Sequence, residues 1–203
     1  MPRYLITQSL LASWQYLFDC AEGQEEKAME DFLKALRREP IEATEAMQNG
    51  IDFENAVNAY LKDSTETPDD RWGDTYKEVA EVVRGAQSQV VAYKEKTIAG
   101  IDFLLYARCD FVRAGRVIDT KFVGKYEVGK YFNSPQHPVY LDCIPQAHEF
   151  VYLVSDGKDV YQERYPRADI ENIDRLVENF ISYLEGANLL SLYKEKWVTK
   201  HEN

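Results

Sequence analysis

The apolar positions of this chain change their rhythm after Arg84. Before it they recur at helical spacing, and after it they crowd into short β-branched and aromatic runs. Leu10, Leu11, Trp14, Leu17 and Phe18 predict an amphipathic helix. Ala28, Met29, Phe32, Leu33 and Leu36 predict a second, ended by Pro40. Gly50 reads as a break between a short helical piece and a further helix over Ile51–Leu61. The polar stretch Asp63–Gly73, with Pro68 and Gly73, reads as a loop, and Thr75–Arg84 as helix.

Gln89–Glu95, Ile101–Val112 and Val117–Val123 predict a three-stranded antiparallel meander, punctuated by Gly100 and by Ala114-Gly115. Val123–Pro138 reads as loop or irregular helix. Ile144–Val154 is expected to be helix, Val160–Tyr165 a strand and Ile170–Leu184 a long amphipathic helix. A last helical piece holds Leu189, Leu190, Leu192, Tyr193 and Trp197. This order predicts an α/β (α+β) fold with a small mixed sheet flanked by helices. It is expected to form one domain over residues 1–203. That domain would be mostly helical over 1–73, a meander over 87–123 and helix–strand–helix over 144–200.

Composition narrows the function. With 45% hydrophobic residues in 203, the chain can bury a core and is not disordered as a whole. Cys20, Cys109 and Cys143 are far apart and form no Cys-x-x-Cys pair. This argues against a disulfide scaffold, a zinc ribbon and an iron–sulfur cluster, and a reducing cytoplasm is expected. No apolar run approaches membrane-spanning length, so no membrane role is expected. Tyr4–Phe18 is uncharged behind Arg3, as a signal peptide would be. Gln8, Ser9, Trp14 and Gln15 interrupt it, and its helical spacing fits a helix kept in the mature protein.

The net charge of −11 runs against a simple nucleic-acid binder, but the charge is uneven. Asp19–Glu54 holds eleven acids and four bases. Arg108–Lys130 holds six bases (Arg108, Arg113, Arg116, Lys121, Lys125 and Lys130) against Asp110, Asp119 and Glu127. Within the acidic region Glu22–Glu45 reads as a solvated helical face, or as a surface that limits non-specific DNA binding or contacts a basic partner.

At the centre of the basic stretch is Val117-Ile118-Asp119-Thr120-Lys121. In a strand Asp119 and Lys121 project to one face while Thr120 points away. An acid that can hold a divalent cation beside a lysine that can orient water suits attack on a phosphate. Taken alone, Asp-x-Lys is common and reads more readily as an ion pair on a solvated strand. Asp110 ends the preceding strand, and the tight Ala114-Gly115 connection brings it towards Asp119. A turn cap, or pairing with Arg108 or Arg113, would also account for it. Glu54 sits at the edge of the apolar face of its helix, where a carboxylate needs a partner, a metal or an arginine such as Arg84. Gln146 opens the predicted helix after the strands, where a solvated amide is the plain alternative.

Gly-x-x-Phe-Glu on a helix, Asp at a strand end, hydrophobic-Asp-x-Lys on the next strand and a following Gln resemble the PD-(D/E)xK nuclease superfamily, in its RecB-like and phage-exonuclease branch. The likeness runs from about Leu10 to Leu184 and includes the Ser-rich opening Thr7–Trp14. The resemblance implies a restriction-endonuclease-like core. Glu54, Asp110, Asp119 and the Thr120 carbonyl would hold Mg²⁺ or Mn²⁺, and Lys121 would activate water. Gln146 would steady Lys121 or the DNA backbone. The family's last motif is usually Gln-x-x-x-Tyr, whereas Phe150 stands four residues after Gln146. The implied activity is metal-dependent exonuclease hydrolysis of DNA, linear duplex or single strand, in phage-related recombination, repair or end processing. The resemblance leaves open a homo-oligomer or a phage recombination partner. Two alternatives remain: a repair or restriction endonuclease on the same site, and a catalytically inactive binding member of the fold.

Lys125, Tyr126, Lys130, Tyr131 and Phe132 interleave bases and aromatics, which suits a nucleic-acid strand. A loop burying its own aromatics fits the same residues. Lys125, Lys130, Tyr131 and Arg113 are the candidate nucleic-acid contacts. His137 and His148 lack ligand spacing and are expected in solvated or supporting roles, with His201 in the tail.

Overall fold

The computed structural model describes residues 2–62 and 70–199. The expected loop residues 63–69, with Pro68, and His201 lie outside them. Tyr4–Thr7 forms β1 and Gln8–Asp19 forms α1. The Thr7 hydroxyl accepts the Leu10 N–H, so one residue ends the strand and caps the helix. Glu25–Arg37 is α2 and Glu45–Leu61 is α3. The expected break at Gly50 does not occur, because α3 runs straight through it. The Phe53, Ala56 and Val57 face packs into a core, and that burial outweighs the roughly 1 kcal/mol a mid-helix glycine costs. Thr75–Val83 is α4.

The meander is present as β2 (Gln87–Ile98), β3 (Ile101–Arg113) and β4 (Arg116–Phe122). Both its turns, Ala99-Gly100 and Ala114-Gly115, have positive φ at both central residues, the twist-matched hairpin geometry. Gly115 suits its place twice over, by its positive φ and by its closeness to a neighbour. A Cβ there would lie 2.5 Å from the His148 ring.

The C-terminal third corrects the expectation of helix–strand–helix. Gln136–Cys143, which overlaps the end of the expected loop Val123–Pro138 and runs on past it, forms α5. Glu149–Ser155, expected to be helix, is the strand β5. Every residue of β5 is buried, and it pairs parallel to β4 and antiparallel to β6 (Val160–Pro166). A strand covered on both faces loses the alternation that marks a half-exposed one. Ile173–Gly186 forms α6 and Leu190–Lys196 forms α7. β1, also unexpected, pairs parallel with β3.

The six strands make one mixed sheet in the order β1-β3-β4-β5-β6, with β2 on the other edge of β3. One face packs on α1, α2, α5, α6 and α7 through residues such as Leu11, Phe32, Tyr152, Phe180 and Tyr193. The opposite face packs on α3 and α4 through Phe53, Val57, Val79 and Leu153. No described helix is long and apolar enough to cross a membrane.

Candidate functional site

One edge of β3 serves two neighbours in turn. β1 pairs with it as far as Thr7 opposite Tyr106, and β4 takes over at Ile118 opposite Phe111. Asp110 stands where that edge changes hands. Its Oδ2 accepts the backbone N–H of Thr120 at 2.9 Å and the Thr120 hydroxyl at 3.1 Å, doing the work of the missing ladder bond. The side-chain alternation of β3 also slips here. Phe103, Leu105, Ala107 and Cys109 face one core, but Phe111 faces the other. Opposite Asp110, Gln89 of β2 has a φ of 53°, a strained backbone for a residue with a side chain.

Asp119 and Lys121 project together from β4. Asp119 is 2% exposed. Its Oδ2 lies 2.6 Å from Lys121 Nζ and is otherwise unpartnered, while Oδ1 accepts the Gln136 amide Nε2–H at 2.5 Å. Gln136, not Gln146, is the glutamine the fold brings to this pair. Its signal is in the sequence, since Gln136-His137-Pro138-Val139-Tyr140 carries the Gln-x-x-x-Tyr spacing. Gln146 lies in an exposed turn just before β5, so a strand and not a helix follows it. Parallel register sets Glu149 against Arg116, so Gln146 sits off the far end of β4 from Lys121.

Glu54 comes from α3, on the other layer. Its Oε1 accepts the Gln89 Nε2–H at 2.6 Å, and Gln89 Oε1 accepts Arg108 Nε–H at 2.7 Å. Arg84 pairs with Glu81 instead. Gln89 was not singled out in the sequence, where an isolated amide on a strand carries no distinguishing pattern, and Arg108, weighed there as a partner for Asp110, donates to Gln89 instead.

Burial pushes Asp110 well above the ordinary carboxylate range, and the negative charges of Asp119 and Glu54 add to the shift. Burial likewise raises Glu54, reinforced by Asp119 and opposed by Arg108, Gln89 and Lys121. For Lys121 burial disfavours the charge, but Asp119 and Asp110 outweigh it and hold the ammonium protonated. Asp119 thus raises both Asp110 and Glu54, and Lys121 and Arg108 are the cations that oppose that crowding of negative charge.

Among the described residues no three His, Cys, Asp or Glu side chains are gathered closely enough to hold an ion as they stand. Asp119 is turned to Lys121 and Gln136, Asp110 to Thr120, and Glu54 to Gln89. The donor set nevertheless fits a hard divalent cation. It is all oxygen, it is crowded with like charge, and the buried Asp119 Oδ2 meets the Lys121 ammonium alone.

The candidate nucleic-acid contacts divide. Arg113 donates to the carbonyls of Arg84 at 2.6 Å and Val82 at 3.4 Å, which makes it a C-terminal cap for α4. Tyr131 turns inward and stacks on Tyr152 with ring centroids 4.5 Å apart. Lys125 is exposed and pairs with Glu127, and Lys130 is exposed. His137 is not solvated. It is buried, stacks on Tyr165 and shares a 3.4 Å hydrogen bond with the Tyr152 hydroxyl, and burial lowers its pKa to about 4. His148 is exposed, beside Gly115.

No family model and no curated protein matches the sequence. Among solved structures, the chain is similar to LHK-Exo in complex with dAMP, at 18% identity and a TM-score of 0.52 over 94% of this chain and 92% of that one. It is also similar to SSO0001, at 16% identity and a TM-score of 0.55 over 89% of this chain and 77% of that one. The chain thus has a nuclease-like fold: mixed α/β, with a helical N-terminal part and a mixed sheet flanked by helices.

Proposed function

We propose that this chain is a metal-dependent DNA exonuclease. The observation that carries the reading is the Asp119–Lys121 pair on β4, with Gln136 held to Asp119, in a nuclease-like fold. The likeness to a protein solved with dAMP supports nucleotide or DNA binding.

Glu54, Asp110, Asp119 and the Thr120 carbonyl would hold Mg²⁺ or Mn²⁺, which would polarise the phosphate and lower the pKa of a bound water. To do so Asp119 turns from Lys121, Glu54 from Gln89, and Asp110 shares its oxygens with Thr120. Lys121, protonated, orients the attacking water and offsets charge on the phosphate rather than taking up a proton. Gln136 fixes one Asp119 oxygen and leaves the other beside Lys121. Arg108, through Gln89, keeps Glu54 near its place.

The test is degradation of linear and closed-circular DNA with Mg²⁺ or Mn²⁺, alongside Asp119→Asn and Lys121→Ala. Loss of linear DNA only, reduced at least about 10²–10³-fold in both variants, is expected. Cleavage of circular DNA as well would make the protein an endonuclease on the same site. No cleavage by the wild type would move it to a binding role, which the net charge of −11 already favours over a broad DNA surface.

A further inference from the structure

Residues 123–135, between β4 and α5, form a loop that is tightly tied from behind. Its anchor is Glu163 of β6, 7% exposed and with no lysine or arginine partner among the described residues. Oε1 accepts the Tyr126 hydroxyl at 2.9 Å and the Gly129 N–H at 3.0 Å. Oε2 accepts the Tyr131 N–H at 3.3 Å and the Tyr165 hydroxyl at 2.5 Å. Four donors satisfy a carboxylate that would otherwise be costly to bury. Two ring stacks add to the hold. Tyr126 lies on Tyr161 of β6 at 4.2 Å, and Tyr131 lies on Tyr152 of β5. Consecutive turns, Lys130 N–H to Glu127 O and Phe132 N–H to Gly129 O, stiffen the backbone between these points.

The outer side of the same loop is different. Val128 is 92% exposed and Phe132 71%, with Lys125 and Lys130 exposed around them. Neither apolar side chain contributes to a core, although the backbone carrying them is fixed. The loop also borders the site. Tyr152, beneath Tyr131, pairs in register with Asp119, and Lys121 Nζ lies 6.0 Å from the Tyr152 ring centroid.

We infer that Glu163 is a positioning residue that holds this loop as a preformed platform for one nucleic-acid strand. Phe132 and Val128 meet its bases, and Lys125 and Lys130 its phosphates. Preforming the loop spares the strand the entropy of ordering it, and an exposed ring accepts any base by stacking. The inference rests on the nuclease reading and adds to it the surface that receives the strand. Of the three aromatics that interleave with the lysines, it keeps the stacking role for Phe132, because Tyr126 and Tyr131 are already stacked on Tyr161 and Tyr152.

The test is binding of fluorescein-labelled oligothymidylate by anisotropy, with Ca²⁺ in place of Mg²⁺, and steady-state cleavage with Mg²⁺. Phe132→Ala is exposed and leaves the melting temperature unchanged. It is expected to weaken binding about five- to hundredfold, the loss of one base stack. Glu163→Gln is expected to raise KM for DNA with kcat preserved at saturation. Tyr126→Phe, which removes one of the four donors, shifts KM the same way by less and serves if Glu163→Gln does not fold. A wild type that binds and cleaves while Phe132→Ala and Tyr126→Phe match it overturns the platform and leaves the nuclease reading intact. A wild type that neither binds nor cleaves overturns both.

Discussion

Gln136 donates to Asp119 at 2.5 Å across seventeen residues of chain, from the first turn of α5 to the middle of β4. Helix α5 is itself pinned. Arg167 donates to the carbonyls of Leu141 in its last turn and of Ile144 just past it, and Lys96 pairs with Asp142 on the helix and with Asp174 of α6. Gln136→Ala is therefore expected to lower kcat for DNA cleavage about 10- to 100-fold with little change in KM. Gln146→Ala should leave both constants alone, and equal losses in the two variants would refute the assignment of Gln136.

Asp110 makes metal-free stability depend on pH. Its folded-state pKa is raised above the unfolded value of about 3.9. Its contribution is therefore complete below that value and is lost as pH rises through the folded one. In EDTA the melting temperature should fall as pH climbs past the ordinary carboxylate range. Asp110→Asn should flatten that fall and raise the neutral-pH value by ~2–4 °C for each kcal/mol relieved. Mn²⁺ should stabilise the wild type and not the variant.

His137 acts at the acid end. Its folded pKa of about 4 lies below its ordinary value, so its contribution is present above about 6.5 and is lost as pH falls towards 4. The loss is on the order of 3 kcal/mol by linkage. His137→Phe keeps a ring against Tyr165 and should show a shallower decline in denaturant midpoint between pH 6.5 and 4.

Arg113→Ala should cost stability rather than DNA affinity, because the guanidinium caps α4 instead of facing a ligand. About 1 kcal/mol in a urea titration is expected, with oligonucleotide binding unchanged. Lys130→Ala should do the reverse, weakening binding in a salt-dependent way with the urea midpoint unmoved.

Much of the site can be read in order along the chain. Asp119 and Lys121 share a face because strands have a period of two, and Asp110 comes near because a two-residue turn admits only a narrow range of registers. The glutamine is the instructive miss. Fully buried β5 shows a continuous apolar run, which reads as helix, and a glutamine at the start of that false helix took the place of Gln136. Once β5 is a strand, the real helix must precede it, and Gln136–Tyr140 is the segment left.

By itself the sequence determined the helical first half, the meander with its glycine turns, and the local chemistry of the Asp-x-Lys strand. These depend on periodicity, positive φ and side-chain type, all properties of neighbours in the chain. Only the tertiary structure decided that Glu54 binds Gln89, that Gln136 meets Asp119, that Tyr131 faces inward, and that Glu163 gathers a loop some thirty-five residues away. Those are contacts between buried polar groups on different elements. Their partners are chosen by how the layers stack and by the cost of leaving any of them unpaired.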